Sequence, residues 1–288
     1  MEYLIHIATF SALFAILAIS LDLVIGYTGM LSVAHAAFYG IGAYTTALLL
    51  KTAGLGFFVA TGGGIVLAMI AALLIGIVLA RFRTDYYALA SLGFGVIVYT
   101  IFLNWQEVTR GPLGIPGISR PEIFGATLSD NAAFLVLVVV VLLCVYAIAY
   151  FVTHSSFGRV LTAIREDEEA ISVFGYHTPS YKFIVFVLAA GMAAIAGSLY
   201  ASYITYIAPS SFSIHESIFV LAIVILGGAG SLRGPLIGAI VLVLLPELLR
   251  FVGLPSDIAA QMRQLIYGVV LIFLMLYRPQ GLLGRYKL

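Results

Sequence analysis

Apolar residues in this chain stand in unbroken runs of about 20, not in the short segments of alternating polarity that a β-barrel needs. The clearest runs cover 57–80, 86–106, 132–152 and 183–207. Each is long enough to cross a hydrocarbon core of roughly 30 Å as a helix, which satisfies every backbone N–H and C=O internally. Dividing the chain at its charges and Gly/Pro clusters predicts about nine passes, with eight to ten as the range. They lie near 3–25, 28–50, 57–80, 86–106, 132–152, 181–207, 216–232, 234–252 and 263–279. The expected fold is all-α: a polytopic integral membrane helix bundle, with 1–288 as a single transmembrane domain.

Two regions do not fit straight helices. Between Asp22 and Lys51 lie 28 residues without a charge, too many for one crossing, and Gly26 and Gly29 interrupt them. Later, the uncharged runs shorten to 16 residues (217–232), 13 (234–246) and 14 (264–277), with "GGAGSLRGP" dividing the first two. Short, Gly/Pro-interrupted segments are the mark of broken or re-entrant transporter helices. The two interruptions share a spacing: "GYTGML" at 26–31 and "GGAGSL" at 227–232 both read Gly-x-x-Gly-x-Leu. A duplicated half would place matching breaks in this way, and chance coincidence among membrane glycines is the alternative.

The stretch "RVLTAIREDEEAISVFGYHT" at 159–178 contains five consecutive charges, Arg165 to Glu169, in a chain that is only 9% charged. One charge at the bilayer centre costs about 2.5 to 3.5 kcal/mol, so the run is expected in water. Val160, Ile164, Ile171 and Phe174 recur near helical spacing and Gly175 is suited to end the helix. These features predict one helix of about four turns with an apolar stripe, within an aqueous segment 153–180, before Pro179 and the next span. Such a helix is either a solvated connector or a docking element for a partner groove.

Composition agrees: 62% of residues are hydrophobic and the mean hydropathy is +1.14, as in membrane proteins. The net charge of +1 argues against nucleic acid as a partner. Of the 14 Lys and Arg residues, nine fall on one side of the predicted topology and five on the other. That bias predicts an outside N-terminus and a cytoplasmic C-terminus, with 153–180 inside and the loop 107–131 outside. The opening segment lacks a basic n-region and reads as the first membrane helix. Cys144, the single cysteine, is expected to be a buried apolar residue.

Catalytic signatures are missing. The sequence contains no G-x-x-x-x-G-K-[ST] loop, G-x-S-x-G or H-E-x-x-H, and its five histidines have no metal-ligand spacing. Asp22, Glu216 and Glu247 are the carboxylates nearest the spans, and each is expected to be solvated at a helix end. A pore without ion-coupling residues or an ATP site needs energy from elsewhere.

In order along the chain stand "LDLVIGYTGMLSVAHAAFYGIGAYTTALL", "DYYALASLGFGVIVYTIFLNW", "TRGPLGIPGI", "FGRVLTAIREDEEAISVFGY", "VILGGAGSLRGPLIGA" and "YRPQGLLG". Together they resemble the signature segments of LivM-type branched-chain amino-acid ABC transporter permeases, from about 20 to 285. The resemblance implies helices like those of the ribose-type permeases, an inner-membrane location and import of branched-chain amino acids. Urea or short amides are alternative substrates; an ATP-independent secondary transporter is the competing class. It further implies a second, LivH-type permease subunit, two cytoplasmic ABC ATPases and a periplasmic or lipid-anchored binding protein. No cofactor is expected in this chain, ATP and Mg residing on the ATPases.

The resemblance makes 158–175 the ATPase-coupling segment. Gly158, Arg159, Arg165, Glu166, Asp167, Glu168 and Gly175 are its candidate residues, with Ile164 and Ile171 filling the partner's groove. For the translocation path the candidates are Tyr27, Ser32, His35, Tyr39 and Tyr44 with Gly227, Gly228 and Gly230, and helix packing is the alternative role. Ser32, His35 and Tyr39 are expected to share one helix face. Glu107, Arg110, Arg120 and Glu122 are candidates for docking the binding protein, in a loop stiffened by Pro112, Pro116 and Pro121. A structural plug over the bundle is the alternative for that loop.

Overall fold

The computed structural model describes residues 1–79, 84–123, 126–250 and 280–283, together with 265, 268, 269 and 272. From the N-terminus the helices are α1 (Glu2–Thr28), α2 (His35–Thr52), α3 (Phe57–Leu79) and α4 (Thr84–Asn104). A connecting stretch holds α5 (Gln106–Thr109), a 3-10 turn (Gly111–Leu113), β1 (Ile115–Pro116), β2 (Glu122–Ile123) and β3 (Ala126–Thr127). Then come α6 (Asn131–His154), α7 (Ser156–Glu166), α8 (Glu168–Val173) and α9 (Thr178–Ile204). After β4 (Tyr206–Ile207) and a second 3-10 turn (Pro209–Phe212), the chain ends its continuously described part with α10 (Ile214–Gly227) and α11 (Arg233–Arg250).

Among the described residues six helical stretches are long and apolar enough to cross a membrane: Glu2–Thr28, Phe57–Leu79, Tyr86–Asn104, Asn131–His154, Thr178–Ile204 and Pro209–Gly227. This establishes a polytopic helical membrane protein. The nine expected passes do not appear as nine long helices. The apolar part of α11, Arg233–Leu245, is shorter than a full span, and most of the ninth expected pass, 263–279, lies outside the described residues.

α1 and α9 form the centre of the bundle. In each, 72% of the most apolar window is buried, against 22 to 28% for α3, α4 and α6. In α9 small residues are the cause: its "LAAGMAAIAGS" run lets α2 approach until Gly42 meets the Ala194 backbone and Gly197 meets Tyr39 and Ala43. At that crossing Thr46 Oγ1 donates to Ser198 Oγ at 2.7 Å, and Ser198 Oγ donates to the Ala194 carbonyl at 3.0 Å.

α6 turns a narrow stripe, Phe134, Val138, Val145 and Ala149, towards α1. Cys144 falls off that stripe and is exposed, contrary to the expectation of a buried thiol. The reason is that lipid is as apolar as the protein interior, so an apolar residue in a membrane helix has no obligation to face inward.

At one end of the bundle β1 pairs with β4, Ile115 opposite Ile207 and Pro116 opposite Tyr206, and Lys51 Nζ donates to the Pro116 carbonyl at 2.7 Å. At the other end lie α7 and α8.

Candidate functional site

Both expected breaks are present, and the fold brings them together. α1 stops at Thr28 because Gly29 takes a left-handed conformation (φ 72°), and 29–34 runs on without helix before α2. α10 stops at Gly227, and Gly230 is left-handed in the matching position of the shared spacing (φ 76°). Each break releases backbone groups that lipid cannot satisfy, so side chains and turns supply the partners. Val33 N donates to Ser91 Oγ and Ala36 N to Ser217 Oγ, both at 3.0 Å. The Leu226 and Gly227 carbonyls accept from Leu282 N and Leu283 N at 2.9 Å, so the turn within "YRPQGLLG" closes the end of α10.

Asp22 and Arg165 complete this set. Asp22 Oδ1 accepts from Gly230 N at 2.8 Å, and Arg165 Nη1 donates to the Gly26 carbonyl. Gly26 allows the two breaks this proximity: a Cβ there would collide with the Gly230 backbone and the Asp22 carboxylate. Asp22 is completely buried, which corrects the expectation of a solvated carboxylate at a helix end. Its polar partner lies in the second break, 208 residues away. Glu216 begins α10 half-buried, and the side chain of Glu247 lies outside the described residues.

The charged segment departs from expectation in three ways. It forms two helices, not one, because Asp167 adopts an extended conformation and its Oδ1 caps α8 by accepting from Ala170 N at 2.9 Å. Ser155 caps α7 similarly through Gly158 N. The run is also not wholly in water. The Arg165 side chain is only 10% exposed, and Glu168 takes Lys182 Nζ at 2.7 Å and Thr178 Oγ1 at 2.9 Å. Pairing and hydrogen bonds make such partial burial tolerable. Lastly, there is no single apolar stripe. Ile164 is buried with Leu161 against the bundle, so it cannot fill a partner's groove, and Gly158 is buried against Thr153.

What stays on the open surface is Arg159, Glu166, Asp167, Gly175 and, half-buried, Ile171. Gly175 ends α8 with φ 87°. Beside them stand residues that sequence reasoning did not assign to docking: Val173, Phe174 and Tyr176 are 86, 79 and 44% exposed. An open cavity of about 590 Å³ lies against Tyr176, lined also by Phe157, Arg159, Val160, Ile171 and Tyr181 among others. The legible signal was Phe174 immediately before the terminating Gly175, in a segment otherwise set apart by charge.

The path candidates are inside the chain. Ser32, His35, Tyr39 and Tyr44 are buried, Tyr27 is half-buried, and Gly227 and Gly228 are buried beside Gly234. Ser32 belongs to the non-helical stretch, so it does not share a helix face with His35 and Tyr39. The left-handed Gly29 ends α1 too early for that. Tyr39 and Tyr44 join an aromatic cluster with Phe102, Tyr200 and Phe212, where Tyr44 stacks on Phe102 at 4.5 Å and Tyr39 meets Phe212 at 5.2 Å.

In the connecting loop Glu107, Arg110 and Glu122 are exposed, Arg110 in a left-handed conformation (φ 59°). Arg120 is committed internally. It donates to the Ser129 carbonyl at 2.5 Å and to Asn131 Oδ1 at 2.9 Å, while Asn131 Nδ2 donates to Glu2 Oε2 at 2.8 Å. These bonds tie the loop to the starts of α1 and α6.

Comparison with known proteins gives a consistent result. The family model described as branched-chain amino acid transport system / permease component matches residues 3–275. The high-affinity branched-chain amino acid transport system permease protein LivM of Escherichia coli is 36% identical over 97% of this chain and 69% of that protein. The LivH permease of the same organism is 29% identical over 96% of this chain and 93% of its own. A probable LivM of Methanocaldococcus jannaschii is 25% identical over 77% of this chain and 68% of that protein. No solved structure matches the chain. With two broken helices, their glycine turns and the segment between α6 and α9 all falling inside the matched residues, the chain belongs to the branched-chain amino acid transport system permease family.

Proposed function

We propose that this chain is a transmembrane subunit of an ABC importer for branched-chain amino acids, working with a LivH-type permease, two cytoplasmic ATPases and a substrate-binding protein. ATP hydrolysis belongs to the ATPases, and this subunit contributes the pore and the lever. The relatives' names support the substrate class. The carrying observation is the apolar surface at Val173 and Phe174, next to an open groove, at one end of the bundle. Two apolar side chains largely exposed in a segment that charge keeps out of lipid favour a protein partner.

On this reading α7 and α8 face the cytoplasm. Phe174 and Val173 enter the ATPase, Glu166 and Asp167 border the contact, and the C-terminus is cytoplasmic. Glu107, Arg110 and Glu122 face the binding protein, while Arg120 holds the loop in place. The matching left-handed glycines at 29 and 230 support descent from a duplicated half, and nine passes with the ribose-type arrangement remain our expectation for the complete bundle. The test is reconstitution of the five components in proteoliposomes, with ATP-dependent uptake measured for leucine, isoleucine, valine, urea and acetamide. Leucine, isoleucine or valine uptake that needs ATP and binding protein supports the reading. Uptake of urea or acetamide instead redirects the substrate, and uptake without the ATPases overturns it.

A further inference from the structure

We propose that Arg165 and Asp22 form the linkage through which movement of α7 and α8 reaches both broken helices, which makes Arg165 a positioning residue and not a contact to the ATPase. This rests on the proposed coupling role of α7 and α8. Arg165 closes the last turn of α7 and points into the bundle, where its Nη1 holds the Gly26 carbonyl. That carbonyl lies in the last turn of α1, where a helix terminus carries partial negative charge and binds a cation well.

One turn earlier on α1, Asp22 holds the backbone N–H of Gly230 in the second break. Asp22 and Gly26 are four residues apart, so one face of α1 joins α7 on one side to the α10–α11 break on the other. Leu161 and Ile164, buried on the same side of α7, fix this helix to the bundle and prevent Arg165 from sliding independently. A displacement of α7 must therefore either carry the end of α1 with it or break the bond to Gly26. In the first case the movement reaches Gly230 through Asp22.

The arrangement also separates two tasks within one segment. Val173 and Phe174 are exposed at the end of α8, whereas Arg165 reaches inward from α7 while its other nitrogen pairs with Glu166 at 2.8 Å, and the Asp167 cap divides the two helices. Loss of the outward residues and loss of the inward one should then give different defects.

The experiment uses the reconstituted five-component transporter with Arg165→Ala, Arg165→Lys and Asp22→Ala, reading ATPase retention, ATP hydrolysis and leucine uptake. Alanine at position 22 removes the acceptor of Gly230 N, so Asp22→Ala is expected to lower uptake as Arg165→Ala does. Arg165→Ala is expected to retain the ATPases and their hydrolysis while uptake falls about tenfold or more, the scale of coupling between linked sites, with Arg165→Lys recovering part of it. Normal uptake in Arg165→Ala, or uptake loss that merely follows loss of the ATPases, overturns the proposal. If wild type assembles yet moves no amino acid, it is the substrate reading that fails. The linkage is then read in the isolated chain by labelling of Thr28→Cys, a buried position beside the break. Faster labelling by a membrane-impermeant maleimide with Arg165→Ala than with Phe174→Ala supports it, and equal labelling overturns it.

Discussion

Gly197 and Gly62 have the same side chain and opposite meanings. A Cβ at Gly197 would overlap the Tyr39 carbonyl, while at Gly62 none of the described residues lies within 4 Å. Gly197→Ala should therefore cost about 1 to 3 kcal/mol through overpacking, and Gly62→Ala should be neutral or gain up to about 1 kcal/mol from helix propensity. Thermal denaturation of the purified chain in detergent checks the pair, and equal midpoints would contradict the α2–α9 contact. Thr46→Val, which removes a buried interhelical hydrogen bond, should cost less, about 0.6 kcal/mol by comparison with other membrane proteins. At this scale the sequence marks the breaking glycines through their repeated spacing. It conceals Asp22, because a carboxylate between apolar runs reads as a helix end until Gly230 N is seen to meet it.

The breaks themselves were legible, since 28 uncharged residues exceed one crossing. The division of the charged segment into α7 and α8 was not, although "DEEA" at 167–170 contains the signal: an N-cap aspartate followed by acids in the first turn. Asp167→Ala should fray α8 at a cost of about 1 kcal/mol, and Asp167→Asn should preserve it, as measured by hydrogen exchange at Ala170 and Ile171. Phe174→Ala should weaken ATPase association about 30-fold, equivalent to roughly 2 kcal/mol, if Phe174 is the central contact. Titration of the ATPase onto the detergent-solubilised permease measures this, and an unchanged affinity would move the contact elsewhere on the segment. The apolar period across 160–174 failed as a guide because it assumed one continuous helix. The extended backbone at Asp167 resets the phase, sending Ile164 inward and Phe174 outward.

Across the whole molecule, α1 and α9 are central and α6 is peripheral, an order that composition does not disclose because all three are strongly apolar. A nitroxide on Cys144 tests the placement of α6. Oxygen should broaden its spectrum more than a water-soluble nickel chelate does, both in the isolated chain and beside the second permease. Protection from both reagents in the complex would identify this face as the permease interface. By itself the sequence determined a helical membrane protein, its two breaks, its charge-marked segment and its family resemblance, because these follow from run length, glycine placement, charge and ordered motifs read along the chain. Tertiary structure alone decided which apolar faces are buried, that the two breaks touch, and that Arg165 and Asp22 join them to α7. Lipid removes the polar contrast that would betray an inward face, and the partners of a break lie 139 and 208 residues away, where only the folded chain brings them into hydrogen-bonding distance.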